Sequence, residues 1–537
     1  MRAGEEITRL LSRYDVTHVF GIPGTHTLEL YRGLADNRYG VQHVLAHHEQ
    51  GAGFMADGYA RTTGRPGVCF VITGAGVTNI ATPMAEAYAD SVPMLVVSPV
   101  NQPDGGGYNR GRLHEITDQA AVTAPLTAFS ATVHDVDEIP ELIARAFMVF
   151  ASERPRPVHI SVPLPLLLEE LTVPWEPRGI PSVPVVSDLE VERAGQAVAA
   201  AEWPVIIAGG GVRFSPGPVV ALAEAIGCPV ITTVAGRGVI AGSHALCPGA
   251  QLRAGPVQRV LQESDLAILL GTALSQTDHW SDDLPLPDKQ IRVNLDGKNL
   301  ISRGDVIALR GDASDAAARL GRIVSSAKRD VRMRHSVARC KSLRGELSQS
   351  MTVKEQNHWQ ILEHVQQTLP LNATIFSDMT QIAYTAIGFM PLERPNSWHH
   401  PTGYGTLGYA LPAAIGGAIA EPDRPVLVVV GDAGLQYTMQ ELPLAAELGL
   451  NIKILLWNND TLEQIRDDMV AAGITPTAVV QRNPEFSLLA QACGWEYERV
   501  DRLENLEPSL ARAFTHQGPY LLQINGNNIF PGVRNAG

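Results

Sequence analysis

VLVVVGDAGLQY (426–437) carries an unbroken apolar run into Gly-Asp-Ala-Gly, and IKILLWNND (452–460) carries a second such run into Asn458-Asn459-Asp460. Short, continuous apolar runs rich in Val, Ile and Leu and closed by Gly, Asn or Asp read as strands buried on both faces of a parallel sheet. The stretch between them has a helical pattern, so the segment reads as strand, helix, strand. Open parallel sheets collect ligands beyond the C-terminal ends of their strands, which is where Asp432 and Asn459 fall. A carboxylate and an amide oxygen are hard donors suited to Mg2+. Gly431 and Gly434 let backbone N–H groups approach phosphate oxygens closely. Asp432 alone would be an ordinary turn residue; its pairing with Asn459 at the next strand end makes it a candidate ligand.

The same alternation extends outward through most of the chain. VCFVIT (68–73), MLVVSPV (94–100), PVIIAGGG (204–211), LAILLG (266–271) and IRVNLD (291–296) read as further buried parallel strands, each followed by a turn and a helical pattern. Two stretches interrupt them. Residues 172–187, TVPWEPRGIPSVPVVS, are Pro-rich and aperiodic, and residues 328–356 are highly charged and read as one helix crossing between domains. The expected fold is α/β: three doubly wound parallel-sheet domains over 1–172, 188–327 and 355–537, the first and third being possible distant structural copies. A chain of 537 residues suits about three domains at ~100–200 residues each.

Composition narrows the partners. Apolar residues make up 45% and charged residues 18%, with a formal net charge of -14 and no basic run. An acidic surface repels nucleic acid and anionic membrane, and no apolar run is long enough to span a bilayer. The start, MRAGEEITRLLSRYDV, is an amphipathic pattern without the basic and apolar regions of a signal peptide. Cys69, Cys228, Cys247, Cys340 and Cys493 form no CxxC pair or zinc spacing and read as reduced thiols, which fits a cytoplasmic protein.

The interval from Asp432 to Asn459, together with TGYGTLGYALPAAIGGAIA (402–420) and HVLAHHEQGAGFMADGYARTTGRPGVCFVITGAGVTNIATPMAEAYADSVPML (43–95), resembles the thiamine-diphosphate (ThDP) superfamily of 2-oxo acid decarboxylases and acetolactate synthases over nearly the whole chain. The resemblance implies a pyrimidine-binding, a central Rossmann-like and a diphosphate-binding domain, in that order. It makes Asp432, Asn459 and the main-chain carbonyl of Thr461 the Mg2+ ligands. Ala433, Gly434, Thr380 and Gln381 fall at the diphosphate. Glu49 matches the activating glutamate, which holds a proton on the cofactor's pyrimidine ring so that its own imino group can take the thiazolium C2 proton. Asn79 flanks the cofactor, Gly405 supplies a carbonyl to the 4′-amino group, and Leu407 is the apolar wedge that bends the cofactor. Family members set the glutamate of one subunit against the diphosphate domain of another, which implies a homodimer or a dimer of dimers.

Substrate-facing positions follow by the same match. In FGIPGTHTLEL (20–30) the residue after Pro-Gly is Thr25, followed by His26. GRLHEITDQAAV (111–122) supplies His114, in the loop that carries paired histidines in pyruvate decarboxylases, and Gln119, like the active-site glutamine of acetolactate synthases. Position 468, a Trp in acetolactate synthases, is an Asp here, beside Asp467 and downstream of Glu463 and Gln464. Alone, these acids would be a solvated helix face. Beside NND-x-L-x-QIRDDM and GRLHE they resemble the 5-guanidino-2-oxopentanoate decarboxylase group, in which a guanidinium tail would pair bidentately with carboxylates. The alternative is acetolactate-synthase-like joining of two 2-oxo acids. GAQLRAG and TALSQTD replace the stretches of FAD-dependent relatives, and the GGG of PVIIAGGG is no dinucleotide fingerprint, so FAD is not expected.

Overall fold

The computed structural model describes residues 1–101, 110–249, 252–324 and 328–530. Ala250 and Gln251 of GAQLRAG, residues 325–327 and residues 531–537 therefore lie outside the described residues. Three parallel sheets are present. The first contains β1 (His18–Gly21), β2 (Gln42–Leu45), β3 (Gly67–Phe70), β4 (Met94–Val100), β5 (Phe129–Thr132) and β6 (Val158–Pro163), in the order β2-β1-β3-β4-β6-β5. The central sheet contains β7 (Pro204–Ala208), β8 (Val230–Thr232), β9 (Leu266–Leu270), β10 (Lys289–Asn294) and β11 (Asp305–Arg310), in the order β11-β10-β9-β7-β8. The third contains β12 (Thr374–Ser377), β13 (Trp398–His399), β14 (Val426–Gly431), β15 (Ile452–Asn458), β16 (Glu496–Val500) and β17 (Tyr520–Asn525), in the order β13-β12-β14-β15-β17-β16. The third order is the first one repeated strand for strand, so these two domains are structural copies. The charged segment differs from the expected single helix. It is two helices, Arg329–Ser350 and Val353–Thr368, because Thr352 caps the second through a reciprocal bond with Glu355.

The copies dock through equivalent helices, Glu49–Thr63 and Ala410–Ala420, and share one continuous apolar core. The contact is backbone to backbone. A Cβ at Gly58 would stand 1.9 Å from the Ala413 carbonyl oxygen, and a Cβ at Gly416 would stand 1.9 Å from that of Met55. The two contacts are equivalent, as a local twofold rotation between the helices requires. Charges stitch the rim: the buried Asp57 carboxylate accepts from Arg61 Nε at 2.6 Å and from the Tyr409 hydroxyl at 2.8 Å, and Arg61 Nη2 donates to Asp90 at 2.9 Å. Gly58→Ala should therefore destabilise the protein by about 1–3 kcal/mol or more, since backbone cannot yield as a side chain can. Thermal unfolding checks this; an unchanged midpoint would mean the helices can separate without cost.

Candidate active site

The third sheet brings the predicted metal residues together. β14 is buried along its whole length, and Asp432 starts the short helix Asp432–Tyr437 at its end. Asp432 is 2% exposed, and burial pushes its carboxyl up from the usual aspartate value. Its Oδ2 accepts from Asp460 N–H and from Asn483 Nδ2, both at 2.7 Å, and its Oδ1 accepts from Ala433 N–H at 3.0 Å. A carboxylate offers about four acceptor sites, so capacity for a cation remains. The two adjacent asparagines differ. Asn458 Oδ1 is spent within the loop on Asn483 Nδ2 at 2.9 Å and Asp460 N–H at 3.3 Å. Asn459 donates its amide to Glu463 Oε2 at 2.8 Å, and among the described residues no hydrogen bond engages its Oδ1. The Thr461 hydroxyl donates to the Val479 carbonyl at 2.9 Å.

The neighbouring strand β12 supplies the other wall. Thr380 is the N-cap of the helix Gln381–Phe389, and its side chain makes no capping bond. A Cβ at Gly431 would lie 3.0 Å from Thr380 Oγ1, and one at Gly434 would lie 3.1 Å from Asp378 Oδ1. Side chains at either glycine would crowd Thr380 and Asp378, beside the starts of two helices whose first N–H groups lack a partner within the helix. Hard oxygens beside two such termini fit a divalent cation with a diphosphate. The Gly405–Leu407 turn lies along the same domain. Gly405 has φ +72°, Leu407 is half-buried, and Thr406 between them donates from N–H and Oγ1 to Glu86 Oε2 at 3.2 and 2.9 Å.

In the first domain Glu49 opens its helix, which His48 caps by accepting from Gln50 N–H at 3.1 Å. Glu49 is buried, and Asn79 Nδ2 donates to its Oε2 at 2.9 Å. The preceding turn is fastened to the third domain by His47 N–H on the Glu441 carboxylate at 3.2 Å. Thr25 is exposed. His26 Nδ1 meets Thr73 Oγ1 at 3.0 Å, and its ring stands edge-on to that of His114, 5.5 Å between centroids. Burial lowers the His26 pKa, and the His114 ring adds to that. Two histidines remote in sequence thus form a pair. Gln119 is 2% exposed and fully engaged: Nε2 donates to Ser98 Oγ, the Pro99 carbonyl and Ser161 Oγ at 2.9–3.0 Å, and Oε1 accepts from Gly74 N–H at 2.8 Å. It pins the Gly74 turn, where φ is +61° and a Cβ would meet the His114 carbonyl oxygen at 2.3 Å.

The acidic helix Glu463–Ala471 has no buried residue. Its carboxylates divide into two kinds. Glu463 pairs with Lys354 at 2.9 Å and Arg466 at 3.4 Å; Asp467 pairs with Lys354 at 2.5 Å and Arg466 at 2.9 Å. Asp468 has no cationic partner among the described residues. Among the described residues it accepts only from Gln464 Nε2, at 2.9 Å, and Gln464 accepts from Gln381 Nε2 at 2.7 Å, which links it to the helix Gln381–Phe389. Sequence reading missed Asn483 and Lys354. Neither sits in a motif: one lies in the loop after Val480, the other at the start of the helix Val353–Thr368.

Comparison with known proteins agrees with this architecture. Residues 1–122 match the N-terminal TPP binding domain of thiamine pyrophosphate enzymes, 191–320 their central domain, and 378–524 their C-terminal TPP binding domain. A probable 2-ketoarginine decarboxylase of Pseudomonas aeruginosa is 46% identical, covering 98% of this chain and 94% of its own. The acetolactate synthase isozyme 1 large subunit of Escherichia coli is 30% identical over 97% and 93%, and the large subunit of Corynebacterium glutamicum 32% over 96% and 84%. Matching domains in matching order, with a cradle suited to a metal-bound diphosphate, lead to one assignment: the chain belongs to the thiamine pyrophosphate enzyme family.

Proposed function

We propose that this protein is a Mg2+-dependent ThDP decarboxylase of 5-guanidino-2-oxopentanoate, acting as a homodimer or dimer of dimers with active sites between subunits. The observation that carries the substrate is Asp468, a carboxylate that no cation pairs with among the described residues, on a helix whose other acids are already paired. The relative from P. aeruginosa supports the same reading by its name. Bound ThDP supplies the nucleophilic carbon and holds the electron pair released with CO2. The chain supplies the rest. Asp432, Asn459 and the Thr461 carbonyl hold the metal, and Thr380, Gln381 and the Ala433-Gly434 backbone face the diphosphate. Gly405 and Leu407 would contact the bound cofactor, and Asn79, which donates to Glu49, would orient that carboxylate toward it. His26 and His114, beside Thr25, would deliver a proton to the product carbon. Gln119 fixes the turn under them. Asp468 receives the guanidinium.

Asp468→Asn should lower kcat/KM for the guanidino 2-oxo acid by about 10- to 150-fold, the worth of a charge-assisted hydrogen bond of ~1.5–3 kcal/mol once substrate covers the site. A neutral 2-oxo acid of similar length should be unaffected or improved. Equal loss on both substrates would make Asp468 structural, and a wild type that ignores guanidino acids and condenses pyruvate would establish carboligation instead.

Glu49→Gln should leave ThDP binding nearly intact but slow C2-proton exchange severely, because an amide cannot hold the ring proton. NMR-monitored deuterium exchange measures it, and a wild-type rate would remove Glu49 from the activating role. Asp432→Ala should abolish Mg2+-dependent retention of ThDP through gel filtration; retention at the wild-type level would displace the metal from this site.

A further inference from the structure

An asparagine can ligate a cation only through its carbonyl oxygen, yet its amide has two chemically different ends that a half-turn about the last side-chain bond exchanges. The structure fixes which end Asn459 presents. A carboxylate only accepts hydrogen bonds, so the atom facing Glu463 Oε2 at 2.8 Å is the NH2 group and Oδ1 points away from it. Glu463 is itself immobilised. Its side chain is 10% exposed, and its Oε1 is held by Lys354 Nζ at 2.9 Å and Arg466 Nη2 at 3.4 Å. Lys354 comes from the helix Val353–Thr368 and also grips Asp467 at 2.5 Å. The two cations leave one carboxylate oxygen for Asn459.

We propose that Glu463, held by Lys354, is a positioning residue that locks the Asn459 amide with its oxygen toward the metal, rather than a group that meets the substrate. This rests on Asn459 being a ligand, as argued above. Outer contacts of this kind typically change metal affinity by about 10–100-fold. They should leave the fully loaded enzyme unchanged.

The test titrates Mg2+ and follows ThDP binding by quenching of the intrinsic tryptophan fluorescence, with substrate kinetics measured separately at saturating Mg2+. Glu463→Gln, whose amide can donate as well as accept, should raise the Mg2+ requirement about tenfold or more, while kcat and KM at saturating Mg2+ stay at wild-type values. Asn459→Asp added to it should restore the Mg2+ requirement, because a carboxylate presents oxygen in either orientation and accepts from the new glutamine. An unchanged Mg2+ requirement in Glu463→Gln overturns the proposal, and so does a selective rise in KM for the guanidino acid, which would return Glu463 to the substrate. Failure of the double variant to recover does the same, since a folding defect would not be cured at position 459. Asn459→Ala separates the two levels: if it too leaves the Mg2+ requirement unchanged, the ligand assignment falls; if it raises the requirement and Glu463→Gln does not, only the orienting role falls.

Discussion

The contact between the helices Glu49–Thr63 and Ala410–Ala420 governs how the chain can work. Gly58 and Gly416 let the two backbones touch, and any side chain there would force the first and third domains apart. Both ends of that contact lead to candidate cofactor residues. Glu49 is the first residue of one helix, and the Gly405–Leu407 turn leads into the other. Close approach therefore does more than bury apolar area. It fixes the first and third domains of one chain against each other, and the buried Glu86 and Glu441 carboxylates tie the Gly405–Leu407 turn and the turn before Glu49 to the opposite domain by accepting from backbone N–H groups.

How much of this could be read beforehand depended on whether a signal was local. The strands buried on both faces announced themselves as apolar runs, and β4, β14 and β15 begin where those runs begin. Edge strands did not. β11 and β16 are DVIALR and EYERV, with only one buried residue each, and β13 is two residues long. Asp432, Asn459 and Glu49 stand out in the sequence as candidates because turn, strand end and helix start each lie within a few residues of a recognisable pattern. Asn483 does not, since it reaches Asp432 across 51 positions from a loop without periodicity. The His26–His114 pair was hidden for the same reason, as two loops meet only in space.

The acidic helix shows where residue type alone misleads. Glu463, Asp467 and Asp468 look equivalent in sequence, and the charge of each could have been offered to a cationic ligand. Lys354, supplied by a helix expected only as a connector, removes two of them. The break at Thr352 matters here, because it starts the new helix two residues before that lysine. What distinguishes Asp468 is the absence of a cation beside it among the described residues.

That helix has a physical character unlike the rest of the protein. With no buried residue, it is fastened by ion pairs and by the Gln381–Gln464 and Asn459–Glu463 hydrogen bonds. Apolar packing is not subject to Coulombic screening, but paired charges near a surface are screened over about 8 Å at physiological ionic strength. Local opening of a segment costs only what its own contacts are worth. The helix is thus a part of the molecule whose order is tuned by ionic strength: its amides should exchange faster as salt rises.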